Sequence, residues 1–304
     1  MKNIDKFLPD SSREPITTSY LIVVTPARNE ENMLPGLTMD MINQSIKPVL
    51  WVIIDDGSND KTWLKIKNLE KEFSWINGVR LKPKQENTYA HERYNEVVRK
   101  GIDHAMEICC KYAFKYDFLA VVDADVRLES KYFEKIIDNF QSNQRLGIAS
   151  GFVYEKEMSL KELKESNAKP RGCALVFRKE CYEMIGSFYG HSNSLVKAEI
   201  RNWHTGIVSS AKVFHRRMTG SDKRYFSMAG KSAYFNNYHP INAFLTGIYY
   251  IIKVSRQKGL SYLIGYLESS IQRKNKIQDE EIKEYYWSSF QRLLRYLSIK
   301  THRN

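Results

Sequence analysis

The chain has 304 residues, 42% of them hydrophobic and 27% charged, and a formal net charge of +12. That is enough for one sizeable α/β core plus an appendage, and it excludes disordered and fibrous classes. Four cysteines (Cys109, Cys110, Cys173, Cys181) have neither metal-ligand nor secreted-disulfide spacing, which excludes a zinc module or a disulfide-stapled scaffold and makes Cys109-Cys110 simple core residues.

The first predicted strand, from Tyr20 to Val24, runs into the turn Thr25-Pro26-Ala27-Arg28-Asn29-Glu30-Glu31, with acids at a helix start. The second, Val49–Ile54, ends in Asp55-Asp56-Gly57-Ser58-Asn59-Asp60-Lys61-Thr62 and a helix to about Phe73. A short strand, Val79–Leu81, precedes a long helix from about His91 to Ala113. The run from Asp117 to Val122 then delivers Asp123-Ala124-Asp125. Unbroken apolar runs of this kind suit strands covered on both faces, and ligands bind at the C-terminal edge of such sheets. A helix over Lys131–Phe140 and a strand over Ile148–Tyr154 follow. The charged stretch Glu155–Ala168 reads as an exposed excursion, and Arg171–Phe177 returns to the sheet. Beyond Pro240 the pattern is helical: Leu260, Leu263, Ile264, Leu267 and Ile271 share one face, and Tyr286, Phe290, Leu293, Leu294 and Leu297 another. Residues 1–240 are therefore expected to form the main domain and 241–304 a helical appendage, packed on the core or lying against a membrane, with packing preferred.

Asp, Asn, Ser and Gly at strand ends also serve backbone capping, which alone accounts for each turn taken singly. Capping does not explain three strands bringing carboxylates to one rim. Repelling charges there call for a cation or a donor-rich ligand.

The three turns, in this order, resemble the family 2 glycosyltransferases of GT-A fold. The likeness continues through Leu146–Gly151, Arg171–Arg178, Gly186-Ser187-Phe188 and the basic stretch around His215, so it covers roughly residues 20 to 240. It implies a mixed, mostly parallel sheet flanked by helices, and transfer of a sugar from a nucleoside diphosphate donor to a glycan or lipid-linked acceptor. It also implies residue roles. Thr25, Pro26 and Ala27 would line the nucleobase, with Glu30 near it or the ribose, and Arg28 and Arg171 would join the donor site. Asp55-Asp56 would accept from a base N–H, which favours uracil or guanine over cytosine and makes a UDP-sugar the first expectation. Asp125 would ligate Mn²⁺ or Mg²⁺, with Asp123 nearer the ribose and His215 as a further ligand, or else a plain surface histidine. Arg216 and Arg217 suit a diphosphate, and Arg80 and Lys84, after the third strand, suit either the same pocket or the plain surface.

One position departs from the family pattern. Inverting members carry an acidic base after the turn matched by Gly186-Ser187-Phe188; here Ser194-Leu195 fall there, leaving His191 and Glu199 as substitutes. Retaining chemistry or an unusual acceptor would also account for the departure, and the alternative reading is a nucleotide-sugar-binding pseudoenzyme or scaffold. A nucleotidyltransferase is disfavoured because no Gly-rich, Lys-containing phosphate loop appears near the start.

Charge is uneven. Residues 1–196 hold 28 Lys+Arg against 28 Asp+Glu, and the rest holds 19 against 7. No nucleic-acid-reading motif accompanies this excess, which leaves a solvated face, a pyrophosphate substrate or a peripheral contact with an anionic membrane. The run 241–254, broken by Asn242, Thr246, Gly247 and Lys253, falls short of a membrane span. The start of the chain, with Asp5, Pro9 and Asp10, lacks a signal peptide's pattern. The expectation is a cytoplasmic protein, at most at the inner face of the membrane.

Overall fold

The structure is a computed structural model, described here over residues 20–83, 90–155, 167–217 and 223–288. The chain divides into two compact units, 1–217 and 218–304. The boundary expected at 240 thus falls inside the second unit, which already includes a helix at Lys223–Phe235.

In the first unit the apolar runs form β1 (Leu21–Ala27), β2 (Leu50–Asp55), β3 (Ile76–Arg80) and β4 (Phe118–Val122). They pair in parallel, with Ala27 opposite Asp55 and Val24 opposite Val121, so their C-terminal ends share one edge. The remaining strands are β5 (Val126–Leu128), β6 (Leu146–Glu155), β7 (Ala174–Arg178) and β8 (His204–His215). The sheet order is β3-β2-β1-β4-β7-β6-β8-β5, with β7 antiparallel to both neighbours.

Helices α1 (Leu34–Ile42), α2 (Thr62–Glu72) and α4 (Tyr132–Ser142) belong with one buried cluster, through Leu37, Ile66 and Phe133. The opposite face is covered by α3 (Ala90–Tyr112), α5 (Lys179–Ile185) and α6 (His191–Ile200), through Val98, Cys181 and Leu195. Two covered faces are why β1, β2 and β4 carry no alternating polar residues. Cys109 joins that core, whereas Cys110 is exposed, so only half of that pair follows expectation.

The segment 117–125 is not one strand. β4 stops at Val122 and β5 begins at Val126, yet these strands lie four places apart in the sheet. Four strand spacings on a flat sheet would be roughly 19 Å. The link from Val122 to Val126 reaches at most about 14 Å. The sheet must therefore curl until its β5 edge approaches β4 near its middle, and Asp123-Ala124-Asp125 is the chain that bridges them. Asp125 is pinned to the far side by its carbonyl, which accepts from the Arg216 N–H at 3.1 Å.

Lys84 and residues 156–166 of the expected excursion lie outside the described residues. Glu155 closes β6 and is buried, and Asn167 is buried too, exchanging two hydrogen bonds with Val153 at 2.8 and 2.9 Å.

The second unit comprises α7 (Lys223–Phe235), α8 (Pro240–Lys253), α9 (Arg256–Ile271) and α10 (Glu280–Trp287) among the described residues. Its small core is Phe226, Ala233, Ala243, Tyr262 and Tyr266. Packing of the Leu260 face was expected, and the structure differs. α9 turns Tyr262, Gly265, Tyr266 and Ser269 inward, while Leu260, Ile264, Leu267 and Ile271 are exposed. Small residues let the backbones approach, as at Gly265, where a Cβ would stand 2.1 Å from the Ser227 carbonyl oxygen. Of the aliphatic stripe, Leu263 alone packs against this core. Of the second expected face, Tyr286 is buried, and Phe290 onward lies outside the described residues.

Candidate active site

The β1 and β2 turns are laced together by backbone N–H groups and small polar side chains. Ser58 Oγ accepts from Asn29 N at 2.9 Å, Thr62 Oγ1 from Glu30 N at 2.7 Å, and Asn29 Oδ1 from Asn59 N at 2.9 Å. Asn29 takes a left-handed φ of 56°, which asparagine tolerates. Gly57, at φ 67°, has room only for hydrogen, since a Cβ would stand 2.8 Å from Pro83 N.

The two carboxylates of the β2 turn have different surroundings. Asp55 is wholly buried; it accepts from Ser58 N at 3.0 Å, and its Oδ2 stands 2.9 Å from Arg80 Nε, out of line for a hydrogen bond. Asp56 sits at the rim, gripped by Arg93, whose Nε donates at 2.8 Å and whose second nitrogen donates to the same oxygen. Arg28 is 3.8 Å from the other oxygen. Of the pair, Asp56 is the one that keeps accessible surface. Thr25 is buried, with Oγ1 accepting from Trp51 Nε1 at 2.9 Å, so its side chain faces the core rather than a ligand.

Asp123 and Asp125 experience opposite electrostatics. Burial pushes the Asp123 carboxyl up to about 7, against the hydrogen bond that Tyr94 Oη donates at 2.7 Å. Asp123 therefore holds a proton far more readily than an exposed carboxylate does. Burial also acts upward on Asp125, but His215 and Arg217 outweigh it and hold that carboxyl below its usual range. His215 Nε2 is 3.4 Å from Asp125 Oδ1, and its Nδ1 is 3.9 Å from Glu155. Burial would lower His215; the carboxylates prevail and hold the imidazole above its ordinary value.

Arg217 closes the rim. Its two terminal nitrogens clamp Glu30 at 2.6 and 2.7 Å, and one of them is 3.4 Å from Asp125 Oδ2. Arg216 Nη1 reaches the Asn32 carbonyl at 3.5 Å. Arg171, beside the site, pairs with Glu155. Among the described residues, no group of three or more His, Cys, Asp or Glu side chains forms a cluster suited to a metal.

The two base candidates separate. His191 opens α6 with its ring 5.0 Å from that of Tyr94, which in turn binds Asp123. The ring lies so flat on Gly172 that a Cβ there would meet His191 Cγ at 2.0 Å. Glu199 is exposed, eight residues further along α6 and so about 12 Å down its axis. Ser194 and Leu195 are buried; Ser194 Oγ accepts from Tyr189 N at 3.2 Å, and Leu195 belongs to the core. Arg93, Tyr94 and Glu155 carry no local sequence signal that marks them as site residues. Arg93 and Tyr94 sit in the first turns of a long helix that reads as amphipathic, and Glu155 sits at the mouth of a charged run.

The Arg93–Asp56 pair carries the first expected result. Both side chains are about nine-tenths buried. Arg93→Ala leaves the largely buried Asp56 carboxylate with only the half-exposed Arg28 at 3.8 Å and is expected to cost about 3 kcal/mol in denaturant unfolding. Arg93→Met combined with Asp56→Asn should recover most of that loss. Equal stability of Arg93→Ala and the unaltered chain would show that the pair is solvated.

Comparison with known proteins fits this geometry. The profile described as glycosyl transferase family 2 matches residues 22–218. A 4,4'-diaponeurosporenoate glycosyltransferase of Staphylococcus haemolyticus is 31% identical over 142 residues, 46% of this chain and only 34% of that protein's length. In structure the chain is similar to the mannosyltransferase PcManGT of Pyrobaculum calidifontis in complex with GDP-Man and Mn²⁺ (TM-score 0.53, 12% identity, 88% of this chain and 81% of that one). It is also similar to S. aureus TarS 1-349 in complex with UDP-GlcNAc (TM-score 0.52, 11% identity, 83% and 78%). At such identities these likenesses establish the GT-A type of fold.

Proposed function

Since the chain belongs to glycosyl transferase family 2, we propose that it moves a sugar from a nucleoside diphosphate donor, a UDP-sugar first, to a hydroxyl of a glycan or lipid-linked acceptor. The observation that carries this reading is the rim itself. The β1, β2 and β4 ends bring Glu30, Asp56, Asp123 and Asp125 to one sheet edge, interleaved with Arg93, Arg217 and His215. Carboxylates meet ribose hydroxyls and base N–H groups, and guanidinium meets diphosphate. The donors bound by the two solved relatives support the same class of ligand.

A divalent ion fits this set. Mg²⁺ and Mn²⁺ bind through one or two carboxylates and take their other ligands from water and phosphate. Asp125 and His215, with facing atoms 3.4 Å apart, would hold it, and the raised Asp123 carboxyl would gain from the added charge. When bound, the ion would neutralise charge growing on the departing diphosphate. Arg217, half exposed, would turn from Glu30 and Asp125 toward the same phosphates and orient them. Asp56 would accept from the base, while Asp55 braces the turn from inside. On the acceptor side, His191 would take the hydroxyl proton as the new C–O bond forms at the anomeric carbon and the bond to the nucleoside diphosphate breaks. Its ring is held for that task between Gly172 and Tyr94.

The test is a donor panel. Purified protein with Mn²⁺ is expected to release UDP from at least one UDP-sugar, slowly to water and faster with a lipid-diphosphate or glycan acceptor. Release from GDP-sugars alone would replace uracil with guanine as the base read by Asp56. Metal-dependent donor binding with no release across the panel would favour a nucleotide-sugar-binding protein that lacks a working base.

A further inference from the structure

We infer that the helical unit docks on an anionic lipid bilayer through α8 and α9, lying in the interface without crossing it. On α8, Ile241, Leu245 and Ile252 follow one helical stripe, with Phe244 and Tyr249 beside it, and all five are exposed. On α9, Leu260, Ile264, Leu267 and Ile271 recur at helical spacing and are also exposed, Ile271 to 80%. The two helices pack on each other at Gly247, where a Cβ would stand 2.3 Å from Leu263 Cδ2. Nine large apolar side chains on two adjoining helices far exceed the scattered exposure of an ordinary surface. No helix among the described residues is long and apolar enough to cross a membrane.

Charge selects the occupant. Residues 240–276 hold six Lys+Arg (Lys253, Arg256, Lys258, Arg273, Lys274, Lys276) against the single acid Glu268, which is 3.4 Å from Lys231. A second copy docking face to face would bring like charges together. Residues 289–304 bring four more cations (Arg292, Arg295, Lys300, Arg303) and no acid, so that segment is a poor cover as well. An anionic headgroup layer complements the cations, and its acyl boundary accepts the aliphatic stripes, the arrangement of an interfacial amphipathic helix. Lys253 and Arg256, exposed at the α8–α9 turn, are the cations set to meet headgroups. Such docking would bring this unit to the surface that carries lipid-linked acceptors, whichever donor the first unit takes.

The experiment is flotation of the full chain with vesicles of phosphatidylcholine plus phosphatidylglycerol, against phosphatidylcholine alone. The protein should float with the anionic vesicles only. Lys253→Ala and Arg256→Ala should each weaken partition about fivefold. Ile252→Asp with Ile264→Asp should weaken it at least about tenfold. All four positions are exposed or at a turn, so an unchanged circular dichroism spectrum is expected and would exclude misfolding as the cause. A protein that leaves anionic vesicles unbound overturns the inference, as does binding insensitive to the Ile252/Ile264 pair. A dimer in sedimentation velocity that those substitutions dissociate would also overturn it, assigning the face to a second copy.

Discussion

Asp125→Ala is expected to lower sugar transfer by roughly 10²–10³-fold, the usual loss when a preorganised charge at the departing group is removed. The same change should erase the tightening of UDP or GDP binding that Mn²⁺ or Mg²⁺ confers, read by calorimetric titration with metal and with chelator. Asp125 is the point on which His215 and Arg217 converge, both at 3.4 Å. Its loss leaves each with its other partner, Glu155 at 3.9 Å and Glu30 at 2.6 Å, so the fold should hold while the site fails. Chelator should act on the unaltered chain much as the substitution does. Nucleotide binding that ignores both chelator and substitution would remove the metal from the site and leave Arg217 as the phosphate partner.

The second large effect belongs to His191. His191→Ala should reduce turnover by roughly 10²–10⁴-fold with donor affinity little changed, because a base acts on the acceptor proton in the transition state. Glu199→Ala, at the other end of α6, should leave turnover near that of the unaltered chain. Gly172 gives an independent check. A Cβ there would stand 2.0 Å from the His191 ring, so Gly172→Ala must displace the imidazole. It should therefore reproduce the kinetic loss although residue 172 offers no functional group. Undiminished turnover in both variants would move the base elsewhere. Leu195→Asp, which would place an acid where the sequence likeness leads one to expect it, is an unsafe rescue. Leu195 is 6% exposed within the core, where an unpaired carboxylate is costly.

Much of this protein was legible in its sequence, because the relevant physics is local. Apolar runs closed by Asp, Asn and Gly specify buried parallel strands and the edge that binds ligands, and β1, β2 and β4 follow them closely. Strand alternation in β8 was less visible, with Gly206, Ser209 and Ser210 diluting it across a 12-residue strand. Motif order likewise pointed to the family, and spacing to a helical tail.

Tertiary structure decided what depends on groups distant in the chain. No local pattern says that the three-residue bridge after β4 crosses a curled sheet, because curl belongs to all eight strands together. No local pattern divides Asp55 from Asp56, neighbours with the same side chain. Only Arg80 and Arg93, arriving from β3 and α3, make one an internal brace and the other a rim group. Arg217 reaches Glu30 across 187 positions. The stripe on α9 shows the same limit: periodicity finds an apolar face but not what covers it. Two faces of that helix could pack, and the small and aromatic one won because it lets backbones approach more closely. The aliphatic one was left outside.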